Sequence, residues 1–180
     1  DDVHVVTLEF ENVPAACLEF LADRCPVRPC ARALSTAQDR LVEKDFAALI
    51  GAATAPYIAV ASRAELETAM VEIGPRAVLK TRCLGYDGKG QARIVPDSDT
   101  GAAWRDIGGG PAVPEAVVDF ACEISVIQAR GMDGAMAGYV PVENRHVDHI
   151  LDTTIAPAAI DAANAFDVPP GSITGRFGRS

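Results

Sequence analysis

Apolar positions in this chain come in short runs set off by Pro, Gly and charged residues, and their period changes several times. Residues 3–10 (VHVVTLEF) read as a strand. Pro14 suits the first turn of a helix over residues 15–24, with Leu18, Phe20 and Leu21 on its apolar side. Strand, helix and the break at Pro26 and Pro29 suggest one βα unit of an α/β layer. Residues 36–50 read as a second helix, with Ser35 or Thr36 as N-cap and Gly51 as stop, and with Leu41, Phe46, Leu49 and Ile50 toward a core. Residues 56–60 read as a strand. Ser62 and Glu65 then have the spacing of a capping box that opens a helix through Val71.

Residues 77–81 are apolar except for Lys80, and residues 92–95 resume an extended pattern, which predicts a β-hairpin across VLKTRCLGYDGKGQ. Asp87-Gly88 is a hairpin turn signal. Gly85, Gly88 and Gly90 permit positive φ and leave backbone amides uncovered, so the main chain can approach an anion, with Lys80 and Lys89 adding charge. Two readings remain open: an anion cradle, or a tight hairpin with solvated charges. Neither the P-loop spelling nor the dinucleotide fingerprint is present. Residues 98–106 predict a short helix and Gly108 to Pro111 a loop. Residues 112–118, 122–129 and 135–142 predict strands pairing antiparallel with the hairpin. Residues 158–166 read as the last helical stretch.

Composition narrows the classes. The chain has 180 residues, 49% of them hydrophobic and 23% charged, which suits a folded globular protein. A net charge of −9 and the absence of a basic cluster argue against nucleic acid and anionic membranes as partners. No apolar run reaches the roughly 20 residues that span a bilayer, and a cytoplasmic location is expected. Five cysteines, with no C-x-x-C pair, argue against a zinc site or a disulfide framework and predict reduced, partly buried thiols.

Among polar residues, Glu115 and Glu123 flank predicted strands, and Glu143, Asn144 and His146 stand together. Lys80, Glu115, Glu123 and His146 on one sheet face would outline a cleft of both charges, as a nucleotide requires; singly, each suits a solvated strand end. Arg40 fits a surface helix position beside Asp39 and Glu43. Glu9 and Glu11 bracket Phe10 at the end of the first strand, where one would point into the crevice of the sheet.

The blocks FENVP, AQDRLVEK, LKTRCLGYDGKGQ, CEISVIQAR, PVENRHVDHIL and IAPA together resemble the ATP-grasp superfamily and, within it, the 5-(carboxyamino)imidazole ribonucleotide synthases. The similarity runs from Val3 to Ala158. It implies an incomplete ATP-grasp fold, mixed α/β and α+β, behind a remnant of the N-terminal pre-ATP-grasp domain. The division expected is 1–30 remnant, 31–53 linker helix region, 54–107 small lobe, 108–166 partial large lobe and, since the C-terminal stretch has no period, 167–180 unstructured tail.

The resemblance also implies ATP-dependent carboxylation of aminoimidazole ribonucleotide with bicarbonate, with ATP and Mg2+ as cofactors and a homodimer as the assembly. Arg40 and Lys80 would contact the phosphates, and Gly85, Tyr86, Asp87, Gly88, Lys89, Gly90 and Gln91 would close over them. Glu115, Ala116, Val117 and Val118 would read adenine, Glu123 the ribose, and His146 would add a nucleotide contact. Tyr86, Asp87 and Lys89, with Glu9 or Glu11, would face the ribonucleotide. The resemblance places the metal ligands beyond the C-terminus and assigns no catalytic residue. Truncation at both ends, with impaired turnover, is expected; a non-catalytic ATP-binding fragment and an ATP-grasp ligase with another acceptor are the alternatives.

Overall fold

A computed structural model describes residues 3–85, 89–147 and 150–160. Contacts divide it into two compact units, one made of the chain up to Leu49 with Thr54–Val117, the other of Ile50–Ala53 with the chain from Val118 onward.

The first unit opens with β1 (Val6–Thr7), α1 (Ala15–Ala22), β2 (Val27–Arg28) and α2 (Ala31–Gln38). β1 pairs in parallel with β2. The strand expected over residues 3–10 is thus confined to two residues, because β2 supplies only two partners. Leu18, Val27 and Leu34 form a small core with Val6, Leu8, Val13, Leu21 and Ala31 around them.

Residues 36–50 are not one helix. α2 ends at Gln38, Asp39 is extended at φ −115° and ψ 112°, and α3 (Arg40–Leu49) starts anew. The Asp39 carboxylate accepts from the amides of Leu41 at 3.0 Å and Val42 at 3.4 Å, which makes Asp39 the cap of α3. Ser35 and Thr36 are not caps: their hydroxyls donate back to the Arg32 carbonyl inside α2. The inward side of α3 also differs from expectation. Phe46 and Leu49 are exposed, whereas Lys44 is buried and Arg40, Leu41 and Ala47 are half-buried.

Beyond Gly51, residues 56–60 make isolated bridges, Tyr57 to Glu115 and Val60 to Ala112, rather than a full strand. α4 (Arg63–Ile73) begins as its spacing predicts: Ser62 Oγ accepts from the Glu65 amide at 3.2 Å, and the Glu65 carboxylate accepts from the Ala61 amide at 2.8 Å. β3 (Ala77–Thr81) and β4 (Gln91–Ile94) form the expected hairpin. α5 (Thr100–Asp106) follows, capped by Asp99, and β5 (Ala112–Ala116) pairs antiparallel with β3. The sheet order is β4-β3-β5, so β5 shares a sheet with the hairpin.

Register assigns the two faces of this sheet opposite work. Leu79 pairs with Ala92 and Pro114, and Ala77 with Ile94 and Ala116; this face packs on α4 and α5 through Leu66, Ala69, Ala103 and Ile107. Val78, Lys80, Val113 and Glu115 share the other face, because side chains alternate along a strand.

The second unit carries β6 (Glu123–Ser125), β7 (Gln128–Arg130), β8 (Met136–Gly138), β9 (Val142–Val147) and β10 (Ile150–Ile155). β6, β9 and β10 form one sheet and β7 with β8 another, so of the three runs expected to pair with the hairpin only β5 does so. Cys17, Cys30, Cys83 and Cys122 are exposed and Cys25 half-buried, contrary to the expected partial burial of all five. No helix among the described residues is long and apolar enough to cross a membrane. Residues 158–160 are not helical, and the rest of the expected helix and the tail lie outside the described residues.

Candidate functional site

Glu115 is the centre of the polar face of the β4-β3-β5 sheet. It is 8% exposed, within β5, and therefore not the solvated strand-end residue its sequence position suggests. Three cations surround it. Lys80, diagonal to it on β3, donates from Nζ to Oε2 at 3.1 Å. Lys44 of α3 places Nζ 3.4 Å from the same oxygen, and Arg40 places Nη1 3.8 Å from Oε1. One carboxylate against three cations leaves two positive charges in excess at a mostly buried spot. Such an excess favours an anion, since burial weakens screening by water. Arg40 Nε and Glu115 Oε1 are both buried without a hydrogen-bond partner.

The position of α3 follows from its N-terminus. Arg82, just past β3, holds Asp39 through Nε at 3.0 Å and through Nη2 as well, and the Arg40 amide donates to the Arg82 carbonyl at 2.8 Å. This fork fixes the first turn of α3 to the base of the glycine loop. Burial pushes the Asp39 carboxyl upward, but the Arg82 guanidinium and the Leu41 and Val42 amides outweigh it and hold it below the ordinary aspartate value. The same hydrogen bond raises Arg82. Lys44 also lies 5.0 Å from the centre of the Tyr57 ring, whose hydroxyl donates to Asp45 at 2.7 Å. That carboxylate, accepting the phenol proton, raises Tyr57.

At the glycine loop, Gly90 has φ +68°, and its amide neighbourhood is closed by the bond from the Thr81 amide to the Gly90 carbonyl at 2.8 Å. An added Cβ there would lie 2.6 Å from Thr81 Oγ1, so this close approach demands glycine. Gly85 is half-buried, Lys89 is exposed, and Gln91 pairs with Lys80 across the hairpin. Tyr86, Asp87 and Gly88 lie outside the described residues. The Ala116 and Val117 amides donate within the unit, to the carbonyls of Pro56 and Arg76.

Arg40, Lys80 and Glu115 are thus brought together in the first unit. Glu123 and His146 meet in the second, where His146 Nδ1 lies 3.3 Å from Glu123 Oε2. Their pairing follows from register, because Glu123 opposes Asn144 and His146 is two residues on, on the same side. Lys80, Glu115, Glu123 and His146 do not share one sheet face, contrary to expectation, because β6 and β9 pair with one another rather than with β3. Glu9 and Glu11 are exposed ahead of α1, and the Glu11 carbonyl accepts from Gln38 Nε2. Lys44 escaped the sequence reading. Its signal was its spacing of four from Arg40, which sets both on one side of α3.

The ATP-grasp domain family matches residues 45–168, and the ribonucleotide synthetase preATP-grasp domain family matches residues 1–38. The chain belongs to the ATP-grasp family. Of its relatives, the N5-carboxyaminoimidazole ribonucleotide synthase of Pseudomonas aeruginosa is 41% identical over 156 residues, covering 87% of this chain and 43% of that protein. The N5-carboxyaminoimidazole ribonucleotide synthetase structure from Thermus thermophilus matches with a TM-score of 0.82 at 38% identity, covering 91% of this chain and 44% of that one. The Aspergillus clavatus enzyme, solved in complex with ADP and 5-aminoimidazole ribonucleotide, matches with a TM-score of 0.82 at 25% identity, covering 90% and 42%. This ATP-grasp chain therefore spans less than half the length of these relatives. Arg40 and Lys44 fall between the two matched spans.

Proposed function

We propose that this chain supplies the phosphate-binding part of an ATP-dependent carbon–nitrogen ligase that carboxylates 5-aminoimidazole ribonucleotide with bicarbonate. The observation that carries the proposal is the cationic excess around Glu115, at the base of the glycine loop. The names of the relatives and the ADP-bound Aspergillus clavatus structure support the same substrates.

In this reaction a bicarbonate oxygen attacks the γ-phosphorus and ADP leaves, giving carboxyphosphate. The amine of the ribonucleotide then attacks the carboxyl carbon, or carbon dioxide released from carboxyphosphate, losing one N–H proton, and phosphate departs with that proton. Negative charge builds on the transferring phosphoryl group, so pre-placed cations lower the barrier. Lys80 and Arg40 fill that role in the proposal, with residues 85–91 over the phosphates. Glu123 takes the ribose, His146 a further nucleotide contact, and Tyr86, Asp87 and Lys89 with Glu9 or Glu11 the ribonucleotide. The adenine contact assigned to Glu115 to Val118 narrows, since the Glu115 carboxylate faces three cations and the Ala116 and Val117 amides are already engaged. Carbonyl oxygens there, or donors past Val117, are the groups left for an adenine edge.

Magnesium accompanies ATP in the proposal, but the residues gathered here do not fit it. Glu115 faces three cations that would repel a divalent ion, and no cluster of three acidic, His or Cys side chains occurs among the described residues. No step is assigned to it. A cytoplasmic setting and a homodimer belong to the same proposal.

A second reading, nucleotide binding without turnover, is kept because the chain spans less than half the length of the relatives it matches. Phosphate release from ATP, measured with and without aminoimidazole ribonucleotide and bicarbonate, separates the two: stimulation supports the ligase, and background release with retained ADP binding supports the second. Lys80→Ala is expected to weaken ADP binding by roughly tenfold to a hundredfold, the value of a hydrogen bond to a charged group. Unchanged affinity by calorimetry would remove the phosphate role.

A further inference from the structure

The three cations around Glu115 are not equivalent. The Lys44 side chain is 11% exposed, against 25% for Lys80 and 31% for Arg40. Lys44 also has a second partner that no ligand would replace, the face of Tyr57, itself tethered through its hydroxyl to Asp45. Arg40 is held loosely: its Nη1 is 3.8 Å from Oε1, beyond hydrogen-bond reach, and its Nε is buried without a partner. Lys80 is held by one hydrogen bond on a side chain that is one quarter exposed.

Turning Lys80 and Arg40 toward an anion would strip Glu115, nine-tenths buried, of two of its cations. A buried carboxylate without a counter-ion is strongly disfavoured, so one cation must stay behind. We propose that Lys44 is a positioning residue that remains with Glu115 as its counter-ion while Lys80 and Arg40 turn to the phosphates of a bound nucleotide. This rests on the function proposed above. Without Lys44, Glu115 keeps Lys80 for itself. The binding-competent fraction then falls, and apparent affinity falls with it in proportion.

ADP is titrated by calorimetry into the full chain and into Lys44→Met, Lys44→Arg, Glu115→Gln and the Lys44→Met/Glu115→Gln double variant, with folding checked by circular dichroism. The wild-type chain binds, Lys44→Met binds about tenfold more weakly, and Lys44→Arg, which keeps the charge, recovers to within about threefold. The double variant binds no more weakly than Glu115→Gln, because Lys44 acts only through that carboxylate. A Lys44→Met affinity within about twofold of wild type overturns the positioning role while leaving nucleotide binding intact. A further loss in the Glu115→Gln background makes Lys44 a direct phosphate ligand and overturns it too. If Lys44→Met does not fold, Lys44→Arg decides: a loss of about tenfold or more with charge retained overturns the proposal. Absence of ADP binding by the wild-type chain overturns the underlying function, and this inference with it.

Discussion

Glu115→Gln removes one charge and almost no volume, and so isolates what the carboxylate does for the fold. With an effective dielectric constant of about 20, unit charges at the Lys80 distance of 3.1 Å attract by roughly 5 kcal/mol, and at the Arg40 distance of 3.8 Å by roughly 4 kcal/mol. These are gross attractions, offset by desolvation of the carboxylate and of Lys44. The net cost of breaking such a buried cluster by removing one partner is about 3–5 kcal/mol, because the cations left behind repel one another. Glutamine still offers Lys80 a carbonyl oxygen, which puts the expected loss near the lower end of that range. For a chain of this size, the loss lowers the melting temperature by roughly 6–20 °C. Urea unfolding at pH 7 in low salt is the assay, since guanidinium chloride would screen the charges. Trp104, the chain's one tryptophan, packs against the core of the same unit and reports its unfolding by fluorescence. Added pyrophosphate restores stability to the variant, as an anion that binds only the folded state stabilises by about 2.7 kcal/mol at a hundredfold its Kd. A variant within about 1 kcal/mol of wild type, indifferent to pyrophosphate, would refute the electrostatic account of this cluster.

Four further substitutions test the surrounding structure. Asp39→Asn keeps a capping side chain but loses the charge facing Arg82, and costs about 1 kcal/mol by urea unfolding at neutral pH, given partial exposure of the pair. Because the folded value of Asp39 lies below 3.8, its contribution is fully present above that value and fades as pH falls through the lowered one; the wild-type advantage over Asp39→Asn is therefore constant at neutral pH and shrinks in acid below about pH 4. Gly51→Ala, at φ +77° with open space around it, costs about 1 kcal/mol by the same assay, whereas Gly90→Ala adds a 2.6 Å contact with Thr81 and costs more; equal losses would show that Thr81 yields freely. Ser62→Ala removes the cap of α4 and costs about 1 kcal/mol in thermal unfolding.

What could be read from the residues divides along a physical line. The hairpin around Lys80, the Ser62 and Glu65 cap and the helix before Gly108 depend on neighbours within a few positions, and each formed close to where its spacing placed it. The break at Asp39 was hidden because residues 36–50 carry a helical period on both sides of it; the break depends on Arg82, a partner 43 positions away. The role of Lys44 was hidden for the same reason, since its burial depends on Glu115 from a distant strand. The apolar residues Phe46 and Leu49 pointed to the wrong side of α3 as the inward one, because what that helix covers is charged rather than greasy. In the second unit, the choice of partner by β6 and β9 rests on long-range pairing that alternation alone does not specify.

β3 works as a two-sided plate, with Ala77 and Leu79 in oil and Val78 and Lys80 on the electrical side. Odd and even positions are therefore subject to separate demands, so the charged face can drift without loosening the packing beneath it. The vulnerability is parity: losing a single codon within this strand would invert both sides at once, driving an ammonium into hydrocarbon and a leucine toward the three cations' carboxylate.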